Sequence, residues 1–444
     1  MAKPSTLLAK WNRTVETGPH ERAITDAATG QSWTRSQLDA AASEWHSKYG
    51  EIVAGQRIAL AEPNGADWLR VFLGSLSAAA VVVPLDPGEP VEAQRDTARA
   101  IGATVLCRYG EVEALTTRRR RAREGGRLIK LTSGSTGAPR PILFQDAEMI
   151  ADGRQLCAAM GIRDVDINLG LIPWGHSYGL GNLVMPLILQ GTAIVFGSAP
   201  LPHAIASAVE TWQPTIFPAV PALLRALAES SVPTAQLQSL QTVISAGAPL
   251  PPEVAQRFQE RFGRKIHNFY GSTETGGISY DPSGDSAALG RGVGQPIPGV
   301  ELVFGRGGRF EVRSAAVYTI GNRRPGSHRM ADIGQLDVRG ELKLAGRVGR
   351  FVKIAGRRLN LAEVEQALKR LPGVRDAMVT PHAARADALA AAVATERSAN
   401  EIRDALRQSL ASWKIPKKIV ILGSFPLTSR GKTDTRQLQA ILAE

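Results

Sequence analysis

The sequence predicts an α/β fold with more than one domain, on three observations. The chain has 444 residues, which exceeds the roughly 250–300 residues at which a single hydrophobic core stops growing. Short apolar runs alternate with segments of helical spacing, as is typical of an α/β core. The composition changes near residue 284 and again near residue 349. We therefore predict a large N-terminal domain of layered α/β subdomains plus a small β-rich subdomain at 1–348, and a small α+β C-terminal domain at 349–444.

Strand and helix signals support the α/β part. Three apolar runs followed by turns predict strands, namely VVVPLDP at 81–87, TAIVFG at 192–197 and QTVISAGAPL at 241–250. Two segments have helical spacing, AIASAVETW at 204–212 and PALLRALAES at 221–230. Functional sites in such a core lie on the loops at strand ends.

The C-terminal part of the chain has a different texture. The glycine-rich stretch at 290–313 is typical of short antiparallel strands or a small barrel. Further along, FVKIAG at 351–356 predicts a strand, and LAEVEQALKRL at 361–371 predicts a helix. One face of that helix is apolar, formed by Leu361, Val364, Leu368 and Leu371.

Composition limits the class of protein. With 43% hydrophobic and 21% charged residues, the chain is typical of globular rather than disordered proteins. No run approaches the roughly 18 apolar residues of a membrane span, and the first residues lack the apolar core of a signal peptide. We therefore expect a cytoplasmic protein without a membrane span. Cys107 and Cys157 lack disulfide or metal-ligand spacing, so we expect two small buried residues.

The charge balance favours an acidic partner. The formal net charge is +12, which suits nucleic acid, a phosphorylated cofactor or an acidic carrier protein. The densest basic cluster comprises Arg118 to Arg121 with Arg123 and Arg127, and it is either a solvated loop or a docking patch. Stacking aromatic residues do not interleave it, which disfavours a nucleic-acid partner.

One loop is rich in residues that bind anions. LTSGSTGAPR at 131–140 lacks the Walker pattern, and the nearest match, PLTSRGKT at 426–433, has Pro426 where the first glycine must be. The loop nevertheless combines four hydroxyls with glycines that free backbone NH groups, which together suit phosphate oxygens. By itself such a loop is also compatible with a plain surface turn.

Read with other motifs, the loop acquires a function. In order, the motifs are TSGSTGAPR at 132–140, PWGHSYG at 173–179, SAGAPL at 245–250, YGSTE at 270–274, GRVGRFVKIAGRRLNLAEVE at 346–365 and PLTSRGKTDTRQL at 426–438. Together they resemble the acyl-adenylate-forming superfamily of acyl- and aryl-CoA synthetases, peptide-synthetase adenylation domains and luciferases. The resemblance covers roughly residues 20–440. It implies ATP-dependent activation of a carboxylic acid to acyl-AMP with release of pyrophosphate, and then transfer to a thiol.

The resemblance assigns roles to residues of the N-terminal domain. The β- and γ-phosphates of ATP would be held by Thr132, Ser133, Gly134, Ser135, Thr136, Gly137 and Arg140. Tyr270, in the motif with Gly271 and Ser272, would stack on adenine against Gly247, Ala248 and Pro249. Thr273 would bond the α-phosphate, and Glu274 would ligate Mg²⁺, an ion that prefers oxygen ligands. Asp332 would bind the ribose hydroxyls, and His176 would stand at the gate of the acyl pocket.

The resemblance also implies a mobile C-terminal domain that carries catalytic groups. Lys432 would bridge the carboxylate and α-phosphate oxygens during adenylation. Arg347 would be a ribose or hinge-side residue, Lys353 would act in thiol transfer, and Arg358 would contact phosphate or cofactor. The hinge of the rotation would be Gly349.

Three positions depart from the family pattern. Arg140 replaces a lysine, Met330-Ala331 replaces a Thr-Gly pair, and Gly349 replaces a hinge residue with a charged side chain. Arginine keeps the charge but presents a planar fork, and glycine eases rotation while removing a side-chain latch. These departures leave one alternative open, a non-catalytic adenylate-binding homologue or scaffold.

Substrate and acceptor are less defined. The segment PWGHSYGLGN at 173–182 contains no aspartate for an α-amino group, so an amino acid is disfavoured. An apolar pocket for an aryl or aliphatic acid is suggested by Trp174, Tyr178, Gly179 and Gly181. Coenzyme A and the phosphopantetheine of an acidic carrier protein both suit the basic charge as acceptors.

Overall fold

The computed structural model describes most of the chain, and the described residues fall into two compact units. They are residues 5–116, 127–132, 140–347, 351–354, 357–385, 388–410, 412–428 and 431–444. The first unit comprises Met1–Val303, Glu311–His328 and Leu336–Leu342, and the second comprises Phe304–Phe310, Arg329–Gln335 and Lys343–Glu444. The predicted boundary between residues 348 and 349 and the predicted hinge at Gly349 lie outside the described residues, so both stay predictions.

The first 300 residues form strands and helices in alternation. The strands are β1 Arg22–Asp26, β2 Ser32–Thr34, β3 Arg57–Leu60, β4 Val81–Pro84, β5 Val105–Arg108, β6 Glu111–Ala114, β7 Leu128–Thr132, β8 Arg140–Phe144, β9 Ile167–Leu169, β10 Ala193–Phe196, β11 Ile216–Ala219, β12 Thr242–Ser245, β13 Ile266–Ser272, β14 Gly276–Tyr280 and β15 Gln295–Pro296. The helices are α1 Thr6–Thr17, α2 Arg35–Val53, α3 Ala66–Ser77, α4 Val91–Ala100, α5 Asp146–Met160, α6 Ser177–Gly179, α7 Met185–Gln190, α8 Pro202–Trp212, α9 Pro221–Glu229, α10 Pro252–Phe262 and α11 Asp285–Ala288. A π-helix, Leu180–Val184, joins α6 to α7.

These strands build two sheets. One has the order β15-β14-β13-β12-β11-β9-β10-β1-β2, and the other has the order β6-β5-β3-β4-β7-β8. In the first sheet, β9 to β13 run parallel to one another, so their carboxyl ends share one edge. Parallel strands connected by helices place ligand-binding loops at that edge. The predicted α/β core is confirmed, including the strands at β4, β10 and β12 and the helices α8 and α9.

Several strands of these two sheets are buried on both faces. Val81 to Val83 and Ala193 to Phe196 are buried throughout, as expected for strands covered by helices. Large side chains of α8, α9 and α10, including Val209, Leu227 and Phe258, fill one face of the first sheet. The sites are thereby confined to the loops that follow each strand.

The segment after residue 300 forms the predicted β-rich part. Its strands are β16 Glu301–Phe304, β17 Arg309–Arg313, β18 Ser327–Leu336 and β19 Leu342–Arg347, in that sheet order. The chain continues with β20 Phe351–Ile354, β21 Arg357–Asn360, α12 Leu361–Lys369, β22 Val374–Pro381, β23 Leu389–Thr395, α13 Ala399–Arg407, β24 Lys418–Leu422 and α14 Thr435–Ala443.

The C-terminal part of the second unit is a small α+β layer structure, as predicted. Its sheet has the order β22-β23-β24, with α12 and α13 packed on one face and α14 on the other. The predicted apolar face of α12 is confirmed, because Leu361, Val364 and Leu368 are buried in this core.

Three composition-based expectations can be compared with the structure. No helix among the described residues is long and apolar enough to cross a bilayer, and the cytoplasmic location stays a prediction. Both cysteines are buried, as expected, and burial raises the pKa of each thiol to about 12. Arg127 does not belong to an exposed basic cluster, since it is 5% exposed and its guanidinium lies 3.8 Å from the Asp146 carboxylate. Residues Arg118 to Arg121 and Arg123 lie outside the described residues.

Candidate active site

The YGSTE motif forms the tip of a β-hairpin. Strands β13 and β14 pair in antiparallel fashion with Tyr270 opposite Ser279 and Ser272 opposite Gly276, so Thr273 and Glu274 occupy the turn. The turn is closed by the Thr275 N–H, which donates to the Ser272 carbonyl at 3.4 Å, and by the contact of their hydroxyls at 3.0 Å. Thr273 and Glu274 are half-buried. The hairpin thus holds a hydroxyl and a carboxylate side by side at the edge of the sheet.

The predicted adenine site draws on two neighbouring strands. Gly247, Ala248 and Pro249 follow β12 and are exposed, and Gly247 adopts a φ of +88°, which favours glycine. Strand β12 is parallel to β13, with Ser245 opposite Asn268. The segment of Gly247 to Pro249 therefore leaves the same edge of the sheet as Tyr270, which is half-buried.

The loop that carries His176 lies against that same edge. His176 caps α6, where its Nδ1 accepts the N–H of Tyr178 at 3.3 Å. The Tyr178 hydroxyl contacts the carbonyls of Ala219 and Ile244, each at 3.3 Å, at the ends of β11 and β12. His176 is half-buried. These contacts bring His176 and the adenine-side loops to one edge.

The structure explains four nearby residues by packing. A Cβ on Gly179 would lie 2.1 Å from the Pro173 carbonyl oxygen, and one on Gly181 would lie 2.8 Å from Leu156. Trp174 is fully buried, with its ring 5.5 Å from that of Phe196. Tyr178 is also buried and hydrogen-bonded, as described above. Close packing therefore accounts for both glycines and both aromatic residues.

The phosphate loop is anchored by a hairpin of the two described strands β7 and β8, which we call the phosphate hairpin. β7 and β8 pair in antiparallel fashion, with Thr132 opposite Arg140 and the Thr132 hydroxyl 3.4 Å from the Arg140 carbonyl. Arg140 is exposed and Thr132 is half-buried. The predicted phosphate-binding residues Ser133, Gly134, Ser135, Thr136 and Gly137 lie outside the described residues.

His328 lies near the Glu274 turn, and the sequence motifs did not identify it. Burial lowers the pKa of His328, while the Glu274 carboxylate opposes this shift and the Arg140 guanidinium adds to it. The His328 ring also lies 5.9 Å from that of Tyr318, whose N–H donates to the Glu274 carbonyl at 3.4 Å. Arg140 and Glu274 therefore share one electrostatic environment.

Two buried carboxylates of α5 support the turn from behind, and these too were missed. Asp152 accepts the N–H of Gly277 at 2.9 Å. Glu148 accepts the N–H of Thr319 at 2.8 Å, next to Tyr318. The sequence patterns predict no helix at Asp146–Met160 and so offer no sign that these carboxylates are buried, where isolated carboxylates are costly.

Lys130 is a third buried charge beside the phosphate hairpin. It precedes Thr132 by two residues on β7, so the two side chains share a face. Its ammonium lies 4.4 Å from the centroid of the Phe144 ring. Burial lowers the pKa of Lys130, while the carboxylates of Asp152 and Glu148 oppose that shift. A lysine inside the apolar run LIKL was the sequence signal.

The second unit holds the remaining predicted residues. Asp332 is half-buried on β18, next to the buried Met330. Lys353 and Arg358 are paired in register on the hairpin of β20 and β21, and Arg347 ends β19. The side chains of these three basic residues lie outside the described part of the structure.

Lys432 sits on a tight turn before α14. The Thr428 N–H donates to the Lys432 carbonyl at 2.7 Å, and the Lys432 N–H donates to the Thr428 hydroxyl at 3.3 Å. Asp434 caps α14 by accepting two backbone N–H groups at 3.0 Å. The backbone of Lys432 is therefore held in place while its side chain is half-buried.

The donor set at Glu274 suits Mg²⁺ only in combination with a nucleotide. Among the described residues, no group of three or more His, Cys, Asp or Glu side chains could hold a metal ion. Mg²⁺ is usually bound by one or two carboxylates together with substrate phosphates and water. A single half-buried carboxylate at the tip of a hairpin fits that mode, and a protein-only metal cage does not.

Comparisons with known proteins agree with this geometry. The family described as AMP-binding enzyme matches residues 127–304, and the AMP-binding enzyme C-terminal domain matches residues 363–432. The feruloyl-CoA synthase of an Amycolatopsis species is 25% identical over 96% of this chain and 97% of its own length. CymA of Salinispora arenicola, a probable non-canonical nonribosomal peptide synthetase, is 28% identical over 97% of this chain, which spans only 6% of that protein.

A solved structure shares the fold across the whole chain. ATP-bound MatB from Rhodopseudomonas palustris has a TM-score of 0.82 at 20% identity, covering 100% of this chain and 99% of that one. At this identity the likeness shows the fold. The two family matches together cover more than half of the chain and confirm the resemblance of its motifs. The chain belongs to the family of AMP-binding, acyl-adenylate-forming enzymes.

Proposed function

We propose that the chain activates a carboxylic acid with ATP to acyl-AMP and pyrophosphate, and then transfers the acyl group to a thiol. The observation that carries this proposal is the hairpin of β13 and β14, which presents Thr273 and Glu274 at the sheet edge from which the loop of Gly247 to Pro249 also leaves. Arg140, at the start of β8 in the phosphate hairpin, and Glu274 both influence the pKa of His328.

The chemistry of the first step explains this set of groups. An anionic carboxylate must approach an anionic triphosphate, so hydrogen-bond donors and cations have to offset the repulsion. Arg140 and the hydroxyl of Thr132 would hold the leaving phosphates, and Thr273 would bond the α-phosphate. Lys432 would place its ammonium between the carboxylate and the α-phosphate oxygens. Tyr270 would stack on the adenine ring, where an aromatic face contributes about 1–3 kcal/mol.

Glu274 would be the protein ligand of Mg²⁺. When bound, the ion would neutralise negative charge on the phosphates and so make pyrophosphate a better leaving group. Asp332 would bind the ribose hydroxyls, and Arg347, Lys353 and Arg358 would serve the ribose, the thiol-transfer step and the acceptor phosphates. These assignments follow from the motif positions of the residues in the family.

The acid has no α-amino group in this proposal. The segment at 173–182 contains no aspartate to pair with an ammonium, and His176 stands beside the loops where the acyl group would enter. Aryl and aliphatic acids both suit a site without such an anchor.

We propose coenzyme A as the first acceptor to test. The feruloyl-CoA synthase matches this chain over nearly the full length of both, and the net charge of +12 suits the phosphates of coenzyme A. The phosphopantetheine of an acidic carrier protein presents the same thiol arm and is the other acceptor to test.

Pyrophosphate exchange over a panel of aryl, aliphatic and amino acids tests the first step. At least one aryl or aliphatic acid is expected to drive ATP- and Mg²⁺-dependent exchange, and EDTA is expected to abolish it. Mass spectrometry of thioesters, with coenzyme A and with a holo-carrier protein, then identifies the acceptor. If no acid supports exchange while ATP still binds, the non-catalytic alternative replaces this proposal.

A further inference from the structure

Two acidic residues of α5 have no role in the proposed reaction, yet both are buried and hydrogen-bonded next to the candidate site. Glu148 and Asp152 are one helical turn apart and face the same side of α5. They are 3% and 5% exposed. Buried carboxylates are rare unless they are hydrogen-bonded or paired, so each needs a physical explanation.

Asp152 holds the C-terminal side of the Glu274 turn. Its Oδ1 accepts the N–H of Gly277 at 2.9 Å. Gly276 has a φ of +70°, and a Cβ there would lie 2.2 Å from the same oxygen. The carboxylate therefore contacts the backbone so closely that only glycine fits between it and the turn.

Glu148 holds the other side of the turn. Its Oε1 accepts the N–H of Thr319 at 2.8 Å as well as the Thr319 hydroxyl, and its Oε2 accepts the N–H of Gln145 at 2.7 Å. The residue before Thr319 is Tyr318, whose N–H donates to the carbonyl of Glu274 at 3.4 Å. A short chain of bonds thus runs from α5 to the backbone of Glu274.

Lys130 is a buried cation on the strand that leads into the phosphate loop. Two carboxylates one turn apart repel each other, and burial increases the cost. The Lys130 ammonium is within electrostatic range of both. It lies on β7, two residues before Thr132, on the strand that enters the phosphate loop. Burial raises the pKa of Asp152, and the Lys130 charge and the Gly277 bond oppose this rise.

We propose that Glu148 and Asp152 are positioning residues that fix the Glu274 turn from its two sides against the phosphate hairpin. The assignment rests on the proposed function, because it concerns how Glu274 meets Mg²⁺ and the nucleotide. These residues touch neither. They act by holding the backbone that carries Glu274.

The test compares Asp152→Asn and Glu148→Gln with Asp166→Asn. Asp166 is a matched control because it is 5% exposed and accepts the Thr215 hydroxyl at 3.0 Å and the Arg163 N–H at 2.8 Å. It precedes β9, at the end of the strand opposite to the site edge. Each variant is measured for melting temperature, for pyrophosphate exchange as a function of Mg²⁺, and for ATP binding by calorimetry with and without Mg²⁺.

Asp152→Asn and Glu148→Gln are expected to lower the exchange kcat by about tenfold or more, because small misplacements of reacting groups have effects of this size. Their affinity for ATP with Mg²⁺ is expected to fall at least severalfold, whereas their affinity for ATP in EDTA and the KM for the acid stay unchanged. Asp166→Asn is expected to lose thermal stability to a similar extent without these changes.

Equal Mg²⁺ dependence and equal Mg²⁺-ATP affinity in all three variants would overturn the proposal and leave the two carboxylates as structural groups. If Asp152→Asn does not fold, Glu148→Gln provides the same comparison from the other side of the turn. If neither folds, the double variant Lys130→Met with Asp152→Asn, which removes opposite charges together, takes their place in the calorimetry. Absence of exchange in the unchanged chain would refute the proposed function instead.

Discussion

Gly276→Ala is the most informative single substitution, because the structure specifies both its steric and its electrostatic cost. The added methyl group would lie 2.2 Å from Asp152 Oδ1 and 2.5 Å from its Cγ. The carboxylate is buried on α5 and cannot retreat into solvent. Either the side chain or the turn must move, and the bond from the Gly277 N–H to Asp152 is lost or lengthened.

The size of the effect follows from three terms. Placing Ala at a φ of +70° costs about 1–2 kcal/mol, from which a smaller gain in the unfolded state is subtracted. Loss of a hydrogen bond to a buried carboxylate costs about 1.5–3 kcal/mol. Overpacking adds about 1–3 kcal/mol. Gly263→Ala isolates the first term, because Gly263 has a φ of +64° with nothing within 4 Å of its Cβ position.

Urea unfolding monitored by tryptophan fluorescence measures this difference in the first unit, where six of the seven tryptophans lie. We expect Gly276→Ala to lower the free energy of unfolding by about 2.5–6 kcal/mol more than Gly263→Ala does. We also expect Gly276→Ala to lose pyrophosphate exchange, whereas Gly263→Ala, at the end of α10, retains it. Similar losses of stability in the two variants, with exchange intact in both, would refute the close contact between Asp152 and the turn.

Three further predictions concern other parts of the molecule. Lys432→Ala is expected to slow pyrophosphate exchange by about a hundredfold or more, the scale of one lost electrostatic donor, while thioester formation from supplied acyl-AMP persists. Lys417 is exposed in the same unit, and Lys417→Ala should change neither step. Equal loss of both steps in Lys432→Ala would remove the assignment of Lys432. Tyr270→Ala is expected to raise the KM for ATP about tenfold through lost stacking, whereas Tyr270→Phe retains the ring and the affinity; an unchanged KM in Tyr270→Ala would place adenine elsewhere. Burial raises the pKa of Cys107 and Cys157 from 9.0 to about 12, so both thiols stay protonated in the native chain at pH values where the unfolded chain loses the protons. Their contribution to the free energy of unfolding is therefore fully present below pH 9 and is lost between pH 9 and 12. Iodoacetamide at pH 8 should therefore alkylate both only after unfolding, and rapid labelling of the native chain would contradict their burial.

The loops that carry the candidate site could be predicted because their chemistry is local. In YGSTE, the hydroxyl and carboxylate are adjacent in sequence, and the turn that presents them is closed by Ser272 and Thr275 nearby. The same holds for the strands, since the runs at β4 and β10 are apolar over their whole length and β12 is apolar at its two central residues. Such patterns extend over five to ten residues at most and can therefore be recognised in a single sequence.

The glycines of the acyl segment show where local patterns are insufficient. Gly179 and Gly181 suggested space for a substrate, yet their missing side chains make room for Pro173 and Leu156. Absence of a Cβ indicates close approach of another atom, and only packing identifies which atom it is. Arg127 is a similar case, because its place in a basic run gave no sign that it would be buried beside the Asp146 carboxylate.

The sequence by itself determined the fold class, the family and the order of the loops around the candidate site. Each of these follows from short apolar periods and from motifs whose residues are neighbours in the chain. Only the tertiary structure decided which charges lie behind those loops. Lys130, the α5 pair of Glu148 and Asp152, and His328 come from three separate segments of the chain. Helix α5 packs against the hairpin of β13 and β14, and a buried charge acquires its partner only when distant elements exclude water around it.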